Sequence, residues 1–173
     1  LFSYYLILES KKFGDYFYFE NYDDNRFKLF NSGDEQNNNH IYYLHGALFL
    51  FDKSINTLKI KRDENWLIEV ITKEITSDNY PLFISEGTYK MKLKAIQSNN
   101  YLSYCFRHLK ENKSKKMVVF GQSLSNQDLH IVQAIDNNYE KIAYGIRITE
   151  NKKMNEIKAE LNRVRSLFKN TEI

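Results

Sequence analysis

Apolar and polar positions follow two rhythms along this chain: short runs of the kind that strands bury, and longer stretches with helical spacing. Residues 1–10, LFSYYLILES, read as the tail of an aromatic-rich helix. Aromatic alternation through Tyr16, Phe17, Tyr18 and Phe19 predicts a short strand or hairpin within 16–30. Residues 31–39, NSGDEQNNN, show neither period and predict a polar loop reaching to about residue 40. The run YYLHGALFLF at 42–51 predicts a strand, and the alternating TLKIK at 57–61 predicts its hairpin neighbour. In WLIEVITKEIT, residues 66–76, the positions Leu67, Val70, Ile71 and Ile75 have helical spacing.

From residue 81 onward strand-like and helix-like patterns alternate. PLFIS at 81–85 reads as a buried strand, with Pro81 tolerated at its start. Two helices follow at 88–97 and 99–112, and in the second Leu102, Cys105, Phe106 and Leu109 share one face. MVVF at 117–120 predicts a strand ending at Gly121. Ser125 and Asp128 fit a capping box that opens a helix to about Asn137. KIAYGIRIT at 141–149 predicts another strand, and Met154, Ile157, Leu161, Val164 and Phe168 mark a final amphipathic helix within 153–168. Strands alternating with helices imply crossover connections and a sheet covered on both faces. The expected fold is therefore α/β: a single domain over residues 1–173, part of a Rossmann-like, mostly parallel, doubly wound sheet, with a small hairpin insertion between Phe51 and Trp66.

Composition narrows the class. A length of 173 residues suits one substantial core. The net charge of +3 is too small to argue for nucleic acid, and the lysines around 113–116 and 152–153 lack the interleaved aromatics of a nucleic-acid groove. The single cysteine, Cys105, has no internal disulfide partner, which favours a reducing, cytoplasmic compartment. It sits on a helical core face and reads as inert packing. No apolar run approaches the ~20 residues that a membrane span needs. The chain does not begin with Met and starts as if already inside a helix, so it reads as part of a larger domain.

Candidate chemistry sits where a strand-like run meets a glycine. In open parallel sheets ligands gather outside the carboxyl ends of strands. Three turns fit that place: Leu44-His45-Gly46, Ser85-Glu86-Gly87, and Gly121-Gln122-Ser123-Leu124-Ser125. The third runs into a helix start, whose free N–H groups and dipole suit a phosphate or a ribose oxygen. Simpler readings stand beside each. A histidine in an apolar run is most often a satisfied core residue, Ser125 with Asp128 is most often a cap, and Glu86 is most often an ordinary loop acid. Other chemistries fail on spacing. Residues 121–125 lack the closing glycine of a nucleophile elbow. His130 follows Ser123 too closely for the usual triad order, no His or Cys pair has metal-ligand spacing, and neither G-x-G-x-x-G nor a Walker loop occurs.

Three segments in order, YLHGALFLF (43–51), ISEGTYKMKLKAIQSNNYLSYC (84–105) and MVVFGQSLSNQDLHIVQAI (117–135), resemble a bacterial domain family of unknown function allied to the sirtuin-like proteins. The features that carry the likeness are a His-Gly pair at a strand end and a G-x-S-L-s-x-x-D turn opening a helix. The resemblance implies binding of NAD and cleavage of its nicotinamide–ribose bond, an activity such proteins use in anti-phage defence. It makes His45 the general base, a role for which a near-neutral imidazole is suited. Gly46 would make room for the nucleotide, and Glu86, Gly121, Ser123, Ser125 and Asp128 would form the cofactor-binding set. Relatives of this kind carry a Thr-Asn-Tyr-Asp segment and a glycine-rich loop upstream of the part matched here. This chain alone is therefore expected to hydrolyse NAD poorly. The competing reading is a non-catalytic sensor or interaction module, with an exposed sheet edge favouring homo-oligomers.

Overall fold

The structure, a computed structural model, describes residues 13–20, 24–33, 39–53, 56–61, 67–111, 116–150 and 153–173. The helix expected at 1–10 and most of the polar loop after Gly33 lie outside the described residues. The strands are β1 (Phe13–Gly14), β2 (Phe17–Glu20), β3 (Phe27–Phe30), β4 (Asn39–His40), β5 (Gly46–Lys53), β6 (Asn56–Ile60), β7 (Pro81–Phe83), β8 (Lys116–Val119) and β9 (Lys141–Tyr144). The helices are α1 (Leu67–Thr76), α2 (Tyr89–Ser98), α3 (Asn100–Glu111), α4 (Leu129–Ile135) and α5 (Met154–Leu167), with a 3-10 turn at Asn126–Asp128 leading into α4. The chain divides into two compact units, Leu1–Ser85 with Ala95–Cys105, and Glu86–Lys94 with Phe106–Ile173.

In the first unit β2, β3, β6, β5 and β7 form a five-stranded sheet in that order, and each pairing within it is antiparallel. The predicted hairpin of the 42–51 run with TLKIK is present as β5–β6, with Phe51 opposite Leu58. The hairpin expected around the aromatic alternation is β2–β3. Central strand β6 is buried from Thr57 to Ile60, on both faces. Its apolar residues Leu58 and Ile60 join Phe27, Leu50 and Phe51 in the core, where burial of each side chain contributes about 1.5–3 kcal/mol. Its polar residues need partners instead. Thr57 bonds to the Asn99 side chain, and Lys59 pairs with buried Asp15. Asn99 also accepts the backbone N–H of Leu102, capping the start of α3. From that helix Tyr101, Leu102 and Cys105 are fully buried.

In the second unit β8 and β9 pair in parallel, Met117 with Ile142 and Val119 with Tyr144, and α4 lies on the connection between them. Leu124, Val132, Ile135, Tyr139, Ile142, Val164 and Phe168 form this unit's core, with α5 supplying the last helical residues. The chain after α5 turns back along β9: Ile142 N–H donates to Glu172, and Glu172 N–H donates to Glu140. Asp136, at the end of α4, accepts backbone N–H groups from Lys169 and Asn170.

These pairings overturn the expected mostly parallel, doubly wound, Rossmann-like sheet. The strands expected at 81–85, 117–121 and 141–149 do not all share one sheet: β7 pairs antiparallel with β5, and among the described strands the parallel pairs are β8–β9 and the two-residue pair β1–β4. The physical reason is that a short apolar run encodes a strand but not its direction. Here the short link between β5 and β6 enforces an antiparallel hairpin, and the hairpin that was expected to be a small insertion forms the middle of the larger sheet.

Candidate functional site

His45 and Gly46 belong to the first unit. The predicted strand 42–51 begins only at Gly46, so His45 occupies the turn before β5 and does not end a strand. Its carbonyl accepts the N–H of Ile84, and Gly46 N–H donates to Tyr43. Gly46 has φ +75°, and a β-carbon there would stand 1.9 Å from the Leu82 carbonyl oxygen. The space that glycine opens is thus occupied by β7 of the same sheet.

Glu86, Gly121, Ser123, Ser125 and Asp128 belong to the second unit. Glu86 is exposed in the bend before α2, next to Gly87 at φ +101°. The others sit on one segment. After β8 the chain reaches Gly121, which has φ +73° and open space where a β-carbon would go. Gly121, Gln122 and Ser123 are exposed, whereas Leu124 is buried in the core cluster. Leu124 itself has φ +49°, a left-handed conformation that costs a β-carbon-bearing residue free energy.

Side chains from three directions hold this loop. The Ser125 hydroxyl donates to Asp128 at 3.0 Å and accepts the N–H of Gln127. Buried Asp128 also meets the ammonium of buried Lys92 at 3.4 Å. Ser125 and Asp128 are therefore engaged with each other and with α2, and they anchor the loop's base. On the other side, Arg163 of α5 donates to the carbonyls of Ser123 at 2.5 Å and Leu124 at 3.0 Å. Glu160 grips the same guanidinium at 2.8 and 2.9 Å, and its hydrogen bond raises the Arg163 pKa. The single O–H of Tyr144, at the end of β9, is shared between the Ser123 carbonyl at 3.3 Å and Glu160 at 3.2 Å. Burial, then the Glu160 carboxylate, pushes its phenol upward.

The helix after the loop is shorter than its period suggested. A 3-10 turn occupies 126–128 and α4 has seven residues. Ser125 already takes the Gln127 N–H, so the short helix start offers a phosphate little. Sequence reasoning found the loop but missed Lys92, Tyr144, Glu160 and Arg163. The i, i+3 pair of Glu160 and Arg163 was the one visible signal, and such pairs are commonly only surface chemistry. His130 is buried on α4 with its ring stacked near Phe106, 6.2 Å between centroids. The thiol of buried Cys105 is pushed up to about 12 by desolvation, which makes it unreactive near neutrality.

A family model described as a domain of unknown function, DUF4917, matches residues 3–170. The chain belongs to the DUF4917 family. The match spans both units of the DUF4917 chain, and it carries no link to the sirtuin-like proteins expected from the sequence. No curated protein and no solved structure matches the chain. Among the described residues of this DUF4917 chain, no helix is long and apolar enough to cross a membrane.

Proposed function

We propose that the DUF4917 chain is a nucleotide-binding module, that NAD is its ligand, and that the loop 121–125 contacts the ligand's ribose or phosphate. The observation supporting this is a loop held in one shape while its outer residues stay exposed. Arg163, Tyr144 and the Ser125–Asp128–Lys92 cluster fix it, and Gly121, Gln122 and Ser123 face solvent. Rigid scaffolds that present exposed loops are where binding residues concentrate. This loop also follows the carboxyl end of a parallel strand, the usual place for nucleotides. NAD in particular rests on the motif likeness to sirtuin-like proteins. Cleavage of NAD, with His45 as base, is a separate reading that rests on the motif likeness alone and not on the loop. A general base adds only ~10²–10⁴-fold, and only to substrate held in reach, so binding is the first thing to test.

Isothermal titration of the chain with NAD and ADP-ribose tests it, alongside Ser123→Tyr, which fills the exposed loop surface without touching the core. Saturable binding that the variant weakens at least tenfold is the expected result. Absence of binding at millimolar ligand, or equal binding by both proteins, overturns it. Nicotinamide release, compared with His45→Ala, tests the hydrolytic form separately.

The interaction-module reading has its own observation. Val118, Phe120 and Ile148 are 74%, 88% and 68% exposed, and exposed apolar groups in number mark contact surfaces. Self-association in sedimentation that Phe120→Ser abolishes, without NAD binding, would favour it.

A further inference from the structure

We propose that Arg163 is the positioning residue of the loop 121–125, setting Leu124 in its left-handed conformation and thereby the ligand-contacting shape of Gly121 to Ser123. This rests on the nucleotide reading for its functional consequence, but not for its geometry. The two carbonyls that the guanidinium holds, those of Ser123 and Leu124, lie on either side of the Leu124 α-carbon. Holding both peptide groups at once fixes φ and ψ of the residue between them. That residue is the one in the loop with a β-carbon and a positive φ, +49°. Its side chain is buried in the core cluster, so the chain cannot relax by releasing Leu124 to solvent. A planar fork suits this task and an ammonium does not, because two acceptors must be met in one fixed geometry. Glu160 orients the fork through two bonds, and Tyr144 adds a second donor to the Ser123 carbonyl.

Arg163 thereby ties the position of α5 to the loop backbone. It acts on the loop through the backbone carbonyls it holds.

The experiment uses the full chain, as wild type, Arg163→Ala, Arg163→Lys and Tyr144→Phe. In ligand-free protein, backbone amide shifts and hydrogen exchange are read at Ser123, Leu124 and Ser125. Exchange about tenfold faster or more is expected there for Arg163→Ala and Arg163→Lys, as loss of a charge-assisted bond implies. Amides of α4 and β9 should keep their wild-type rates. Tyr144→Phe should give a smaller change of the same sign. Guanidinium ion at a sub-denaturing concentration should restore the loop shifts of Arg163→Ala, a rescue that a general loss of packing would not show. NAD affinity should fall about tenfold in parallel. Unchanged loop amides in both Arg163 variants overturn the proposal, as does full function of the lysine variant. Loosened loop amides in a protein whose wild type binds no NAD support the positioning role and overturn the nucleotide reading instead.

Discussion

The carbonyl oxygen of Leu82 lies 1.9 Å from where a β-carbon on Gly46 would stand. The contact joins the first residue of β5 to β7, in a register that places Gly46 opposite Phe83.

Gly46→Ala is therefore expected to cost at least about 2 kcal/mol, from the strained positive φ together with a backbone clash that no rotamer relieves. Urea unfolding checks this. A midpoint within error of wild type would mean that β7 can move away from β5 freely. Gly121→Ala is the control, since its φ is also positive but its β-carbon meets nothing within 4 Å; it should lose only the conformational part.

Lys59 and Asp15 form a buried ion pair at 2.5 Å in the same unit. Burial lowers the Lys59 pKa, and Asp15 opposes that shift. Removing the carboxylate alone leaves a buried ammonium without its counter-charge, so Asp15→Asn should destabilise by about 3–5 kcal/mol. Replacing both residues, as Asp15→Leu with Lys59→Met, should cost less than the single change. Equal costs for the single and double variants in chemical denaturation would contradict this account.

Two buried acids make the fold sensitive to alkali. Burial raises the Cys105 thiol from 9.0 to about 12 and lifts the Tyr101 phenol well above its usual value. Both folded-state values exceed the unfolded ones, so the folded chain keeps protons that the unfolded chain releases. That stabilisation is complete below pH 9 and declines as pH climbs through the window from 9 to about 12. Each group contributes at most about 1.4 kcal/mol of loss per pH unit within its window. Stability measured against pH should fall less steeply for Cys105→Ala than for wild type above pH 9. Parallel curves would show that the thiol titrates alike in both states. The same burial predicts slow reaction of the native thiol with disulfide reagents at pH 8 and fast reaction in urea.

Asp136 ties down the chain after α5, accepting the N–H of Lys169 at 3.0 and 3.1 Å and that of Asn170 at 3.1 Å. Thr171 adds a bond to the Asp136 carbonyl at 2.5 Å. Asp136→Ala should free residues 169–173 from β9 while the rest of the unit stays folded, at a cost of about 1.5–3 kcal/mol. Trypsin cleavage after Lys169 should accelerate markedly in the variant. An unchanged cleavage rate would place the restraint on Phe168 packing instead.

Much of the local structure was legible from residue spacing. The stripe from Met154 to Phe168 became α5, the face through Leu102 and Cys105 became the buried side of α3, and TLKIK paired with the run before it. The candidate loop was legible too, because Gly121, Ser123 and Ser125 follow an apolar run directly. What holds that loop was not. Lys92 and Arg163 lie 36 and 39 residues from Asp128 and Leu124, and no period within a segment links residues so far apart.

The sequence by itself determined which stretches coil and which extend, because helical and extended periods are properties of neighbouring side chains. It did not determine where each begins and ends: the strand expected at 42–51 runs Gly46–Lys53, and the one expected at 141–149 stops at Tyr144. Strand direction and sheet membership were decided only by the tertiary structure. PLFIS and MVVF look alike as apolar runs, yet Pro81–Phe83 lies antiparallel to β5 and Lys116–Val119 lies parallel to β9. The difference comes from which edge each run meets, and that depends on backbone hydrogen bonds and on close approaches such as the one Gly46 permits. Those contacts form between segments distant in the chain, so no short stretch of residues contains them.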